Sequence, residues 1–194
     1  MGARDRLIDS AVDLMRSNGV AGTGIAQLLE HSGISRRSVY LNFPGGKSEL
    51  IAEATRTAGA AYGALLRGIT AGADVATCVG LFPSIWREKL ATSEFTAGCP
   101  IVAAALGRAE APEAADAAGA AFTEWEDILV ERLTSEHVEP DLAISLATTV
   151  VAALEGAVIL SLATRSMAPL ERVGAQMQEL IARHTGAKPR PVES

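Results

Sequence analysis

The 194 residues allow one medium domain, or a small domain joined to a larger one, and a hydrophobic content of 48% is enough for a sizeable core. Aromatics make up only 4%, so the core is built from Ala, Leu, Val and Ile, and abundant alanine without strand-type runs points to helices. The net charge of −6 argues against a uniformly basic nucleic-acid coat, and two isolated cysteines exclude a disulfide framework or a cysteine zinc site.

A first helix is predicted over residues 3–17. Leu7, Ile8, Ala11, Val12, Leu14 and Met15 form its apolar stripe, and Arg4, Asp5, Asp9, Asp13 and Arg16 its wet side. No apolar run follows the N-terminal charges, so no signal peptide is expected. Asn18-Gly19 ends the helix.

Residues 23–50 are the informative stretch. Ile25, Leu28 and Leu29 have the spacing that buries one face of a short helix over residues 24–31. Thr23 reads as its N-cap, with or without a phosphate contact, and Gly33 supplies the turn. Ser35 caps a second short helix carrying Arg36, Arg37, Ser38 and Tyr40. A helix–turn–helix sets the start of its second helix against base edges in the major groove. Two arginines there suit bidentate bonding to guanine. The bland alternative is two solvated arginines on a surface helix. Phe43 reads as core, whereas Tyr40 could donate to a phosphate.

Gly19, Thr23, Leu28, Gly33, Ser35, Tyr40, Phe43 and Lys47 fall at the spacing of the TetR-type transcriptional regulators, which this chain resembles. Thr23-Gly24, the run from Phe43 to Lys47 and Gly98-Cys99-Pro100 resemble the LmrA/YxaF-like branch. Two positions depart from the usual pattern: Arg37 stands where glycine is common, and Asn42 where histidine is common. Both lie on or beside the recognition helix, so the operator sequence does not carry over. The resemblance implies an all-α fold, with a three-helix DNA-binding domain on a helical ligand-binding and dimerisation body. It also implies a cytoplasmic homodimeric repressor, released from operator DNA by a small apolar effector. The DNA-binding set is then Thr23, Ser35, Arg36, Arg37, Ser38, Tyr40, Asn42 and Lys47.

Charge is divided in a way that fits. Residues 1–50 hold six basic and five acidic side chains, a balance of +1. Residues 51–194 hold eleven basic and eighteen acidic, a balance of −7. This matches a small reader on an acidic body, although charge alone would favour an ordinary acidic protein. Three lysines against fourteen arginines suggest a G+C-rich bacterial genome.

After Pro44-Gly45-Gly46 a long helix is predicted to about residue 69, with Lys47 in its first turn beside free N–H groups that suit a phosphate. A nucleotide-binding loop fails on spacing, because the position of its first glycine is Leu41. Further helices are predicted over residues 76–91, from Pro100, over 113–135, 141–165 and 170–184. Pro83 implies a kink or a later start in the first of these. The domains are expected as 1–46 for DNA, 47–186 for ligand and dimer, and 187–194 as a disordered tail.

Residues 142–164 carry a single charge, Glu155. A membrane span is one reading, but Glu155 would lie mid-bilayer, which is costly. A buried helix at a subunit interface explains the run better, with Ala152, Gly156, Leu160, Val173 and Met177 near the contact. Glu155 is expected to pair in the core or across the dimer before it meets a ligand. Phe82, Trp86, Phe95, Phe122 and Trp125 could line a pocket, although core packing explains each singly. Both cysteines read as reduced and intracellular, and nothing cationic near Cys99 in sequence marks it as a redox sensor. His31, His137 and His184 lack metal-ligand spacing, and no catalytic motif appears, so neither enzyme nor cofactor is expected. A repressor under the control of a protein partner, without a small-molecule ligand, is the alternative.

Overall fold

A computed structural model describes residues 2–186 of the chain. The proposed tail at 187–194 lies outside the described residues. Among the described residues the structure is all helical: α1 (Ala3–Asn18), α2 (Ile25–Ser32), α3 (Arg36–Asn42), α4 (Gly46–Gly72), α5 (Val75–Thr92), α6 (Pro100–Leu106), α7 (Pro112–Ser135), α8 (Pro140–Thr164) and α9 (Ala168–Thr185). The described residues form two compact units, residues 2–62 with 96–122, and residues 63–95 with 123–186.

In the first unit α1 packs on α2, α3 and α6. Leu7, Ala11 and Met15 from α1 are fully or almost fully buried, as are Leu28 from α2 and Val39 from α3. Helix α1 opens with the Gly2 N–H donating to Asp5 Oδ2 at 3.0 Å, which satisfies one orphan donor. Gly107 brings α6 close to the α1–α2 connection: a Cβ there would lie 2.6 Å from Val20 Cβ.

In the second unit α9 packs against both α5 and α8. Val75, Val79, Leu129, Leu133, Leu146, Val150, Leu154 and Ile181 form its core. Pro83 neither delays nor ends α5, which runs unbroken from Val75. Its ring is buried against α9, where Gly174 leaves room: a Cβ on Gly174 would meet Pro83 Cγ at 2.7 Å. Asp74 caps α5 by accepting the Thr77 N–H at 2.7 Å. Glu136 Oε1 accepts the Val75 N–H at 3.1 Å and pairs with Arg132 Nε at 3.0 Å. Burial, above all, raises the Glu136 carboxyl above its ordinary value.

Candidate nucleic-acid interface and cavity

The turn between α2 and α3 is built from four local hydrogen bonds. Gly33 takes the left-handed conformation at φ 66°, ψ 19°, and its N–H donates to Leu29 O at 3.0 Å. Ser32 Oγ donates to Leu28 O at 2.5 Å and accepts the Ile34 N–H at 3.2 Å. Ser35 Oγ then accepts the Ser38 N–H at 3.2 Å, starting α3 as the sequence predicts.

Helix α3 shows two faces. Val39 is fully buried, while Arg36, Arg37, Tyr40 and Leu41 are exposed. The exposed four stand at i, i+1, i+4 and i+5, which is one stripe of a helix. Leu41 is missing from the sequence-based set, yet it is 70% exposed at the C-terminal end of this stripe. An apolar residue four positions after Arg37 was a readable signal. Ser38 and Asn42 are half-buried, and Asn42 Nδ2 turns back to donate to Ser38 O at 2.8 Å.

Two residues of the DNA-binding set stand differently from expectation. Thr23 is fully buried and does not cap α2; the cap is Gly24, whose N–H donates to Gln27 Oε1 at 2.6 Å. The Thr23 hydroxyl donates to Gly19 O at 2.7 Å, so it holds the α1–α2 connection and is out of reach of a phosphate. Lys47 is half-buried, and its Nζ donates to Val20 O at 2.9 Å. The ammonium therefore has an internal role, with further protons left to offer.

The segment after α3 is held on both sides. Phe43 is buried at 1% exposure, and the Arg4 guanidinium lies 5.3 Å from its ring centroid. Arg4 also pairs with Glu53 at 2.6 Å, and Glu53 with Arg56 at 2.9 Å. The hydrogen bonds from Arg4 and then Arg56 hold the Glu53 carboxyl below its ordinary value. Gly46 has φ +69°, a backbone conformation that favours glycine, and a Cβ there would lie 3.3 Å from Tyr40 Cε1, so the exposed tyrosine ring would have to shift slightly.

The second unit contains a cavity of about 100 Å³. Leu66 and Ile69 of α4 line it, with Cys78, Val79, Phe82 and Ile85 of α5, Trp125 and Leu129 of α7, and Val150, Val151, Leu154 and Glu155 of α8. Of the six sequence-based ligand candidates, the cavity gathers Phe82, Trp125 and Glu155 only. Trp86 is 3% exposed and packs on Phe82, with ring centroids 6.2 Å apart, and on the Lys89 ammonium, 5.6 Å from its ring. Phe95 sits in the connection after α5 at φ 59°, and Phe122 belongs to the first unit. Cys78 lines the cavity; burial, then Asp74 and Glu136, push its thiol up to about 11.

On α8, Ala152 and Leu160 are exposed and Gly156 is half-buried, with open space where a Cβ would stand. Ile144 and Ile159 add to this apolar surface at 54% and 48% exposure. Val173 and Met177 of α9 are half-buried and pack in part against the core of their own unit. Helix α8 is long and apolar enough to cross a bilayer by length and composition.

An exposed arginine-bearing helix after a glycine turn, on a three-helix base, defines a helix–turn–helix DNA-binding regulator. The description "Bacterial regulatory proteins, tetR family" matches residues 7–54, and "Transcriptional regulator LmrA/YxaF-like, C-terminal domain" matches residues 76–176. An uncharacterized HTH-type transcriptional regulator of Mycobacterium tuberculosis is 34% identical over 93% of this chain and 94% of its own length. The HTH-type transcriptional regulator LmrA of Bacillus subtilis is 26% identical over 93% of this chain and 97% of its own. A TetR transcriptional regulator from Legionella pneumophila shares the fold, with a TM-score of 0.83 at 16% identity over 93% and 97% of the two chains. The chain belongs to the TetR family of transcriptional regulators.

Proposed function

We propose that this regulator is a cytoplasmic homodimeric repressor whose hold on operator DNA is released by a small, mostly apolar effector. Residues 1–46 form the reader, and residues 47–186 the effector-binding and dimerisation part. In the reader, Arg36 and Arg37 bond base edges, Leu41 touches thymine methyl groups, and Tyr40 and the spare protons of Lys47 reach phosphates. Ser35 presents the start of α3, while Ser38 and Asn42 shape it from the half-buried side. Two such helices, about 34–36 Å apart in a dimer, would engage successive major grooves. The dimer forms through the apolar surface of α8, around Ala152, Gly156 and Leu160. That surface accounts for the apolar length of α8 without a membrane.

The cavity in the second unit is the observation that carries the effector. Its walls are apolar apart from Glu155 and the Cys78 thiol, as in pockets for small organic molecules. Helix α4 begins beside Lys47 and ends with Leu66 and Ile69 of the cavity wall, so one helix serves both reader and pocket. To weaken DNA binding a hundredfold, the effector must favour the non-binding state by about 2.7 kcal/mol.

Selection of bound DNA from a random pool tests the reading, followed by titration of compounds against the selected site. The expected result is a twofold-symmetric site and a compound that lowers its occupancy. Operator binding that no cavity-occupying compound alters would favour control by a protein partner.

A further inference from the structure

We infer that the cavity of the second unit is built for a small apolar cation, with Glu155 as its counter-charge; the inference rests on the effector reading above. Glu155 is the one charged residue among the twelve that line the cavity. It also supplies the one charge in residues 142–164, placed where α8 borders the pocket. An anion entering the pocket would oppose ionisation of the Glu155 carboxyl across a poorly screening apolar medium, whereas a cation favours it. A neutral hydrocarbon would fill the space and gain nothing from the carboxylate. A protonated amine gains a charge-assisted hydrogen bond. A carboxylate has about four acceptor sites on two oxygens, so it can take a ligand proton in addition to the protein's own bonds.

A second observation points the same way. The two aromatic residues of the wall, Phe82 and Trp125, come from different helices, α5 and α7. An aromatic face attracts a cation within about 6 Å of its centre, and more strongly when the ion is desolvated. One carboxylate, two aromatics and an aliphatic remainder suit an ammonium group on a short hydrocarbon. The volume of about 100 Å³ sets the size at a compact group of a few carbon atoms.

The test uses three probes of one shape: 3-methylbutylamine, 3-methylbutanol and 3-methylbutanoate. Full-length protein with labelled Ile, Leu and Val methyl groups is titrated with each and followed by NMR. Saturable shifts at Leu66, Ile69 and Val150 report occupancy of this cavity. The amine should bind on the order of tenfold more tightly than the alcohol, and the carboxylate more weakly than both. Glu155→Gln, close in shape, should remove the preference for the amine and keep the alcohol. Glu155→Asp should retain part of that preference. Equal or tighter binding of the alcohol or carboxylate to wild-type protein overturns the inference, as does absence of binding by all three at millimolar concentration. Persistence of the amine preference in Glu155→Gln also overturns it. Operator release is measured separately on the same samples. An alcohol that binds best and releases DNA removes the cation assignment and keeps the effector reading. An amine that binds through Glu155 without changing operator occupancy does the reverse.

Discussion

Lys47 Nζ donates a hydrogen bond to the carbonyl oxygen of Val20 at 2.9 Å, tying the first turn of α4 to the connection between α1 and α2. A charged donor on a half-buried carbonyl contributes about 1.5–3 kcal/mol, and removing it leaves the carbonyl short of a partner. Lys47→Ala is therefore expected to lower the unfolding free energy in the absence of DNA, by about 1–2 kcal/mol. It should also weaken all DNA sequences alike and flatten the salt dependence. Denaturant unfolding without DNA separates the two effects. Unchanged stability would leave Lys47 with a phosphate role only.

Base reading is tested with Arg36→Ala and Arg37→Ala. Each is expected to cost about 1–3 kcal/mol on the selected operator if its contact is bidentate. Binding to random DNA should fall far less. Leu41→Ala should relax preference at a thymine, because an apolar contact to the methyl group is lost. Equal losses on specific and random DNA would remove the arginines from base reading.

Sequence was informative where one local pattern determines structure. Apolar spacing, Gly33 and Ser35 located the helix–turn–helix to within a residue or so, since caps and turns depend on near neighbours. Position in space was less readable. Thr23 looked like a cap, but Gly24 does the capping with Gln27, and the Thr23 hydroxyl closes the preceding turn. The start of α5 was read to within a residue, but the kink or later start inferred from Pro83 was not resolved, because the space that Gly174 leaves for the proline ring comes from a helix some ninety residues later. The cavity was legible only through Phe82, Trp125 and Glu155. Its aliphatic wall reads in sequence as ordinary core, and Trp86, Phe95 and Phe122 share composition with a pocket but not its location.

Two glycine-to-alanine changes should act with opposite sign. In α9, Gly174→Ala places a methyl group 2.7 Å from Pro83 Cγ, closer than carbon atoms tolerate. Overpacking of this kind costs about 1–3 kcal/mol, more than the helix propensity gained. In α4, Gly68 is exposed and a Cβ there meets nothing within 4 Å. Gly68→Ala should stabilise by up to about 1 kcal/mol. Thermal melts of both variants check the pair; destabilisation by Gly68→Ala would contradict the open space.

Cys78 predicts an alkaline limit to stability. Its thiol is raised from an ordinary value of 9.0 to about 11 by burial, Asp74 and Glu136. A raised acid favours its protonated form in the folded state. The unfolded chain therefore releases its proton first, and stability falls as pH rises from about 9 towards about 11. Cys78→Ala should flatten that part of the profile, measured as denaturation midpoint against pH. Wild-type Cys78 should also alkylate slowly at neutral pH, since the thiolate is the reactive form. An unchanged alkaline slope in the variant would assign it to other groups.

Assembly is tested most cleanly at Gly156. It lies on α8 between exposed Ala152 and Leu160, and a Cβ at Gly156 meets nothing within 4 Å. A larger residue is therefore tolerated within one chain, and a helical glycine replaced by almost any residue gains propensity. If two copies pair through this surface, the same space is filled by the partner's helix, because a twofold interface brings one patch against itself. Gly156→Arg then sets two charges in an apolar contact. The cost of burying an unpaired charge greatly exceeds the propensity gained. The expected outcome is a folded monomer with unchanged helical circular dichroism, sedimenting at half the wild-type mass. Operator affinity should collapse, since one recognition helix reads only half a site. Leu160→Glu should behave alike, because Leu160 is 54% exposed in the single chain and contributes little to its core. Val173→Ala behaves differently: Val173 packs against the core of its own unit, so the change should lower thermal stability and leave the dimer intact. Wild-type protein that sediments as a monomer at micromolar concentration, or a Gly156→Arg dimer of normal stability, would remove α8 from the interface.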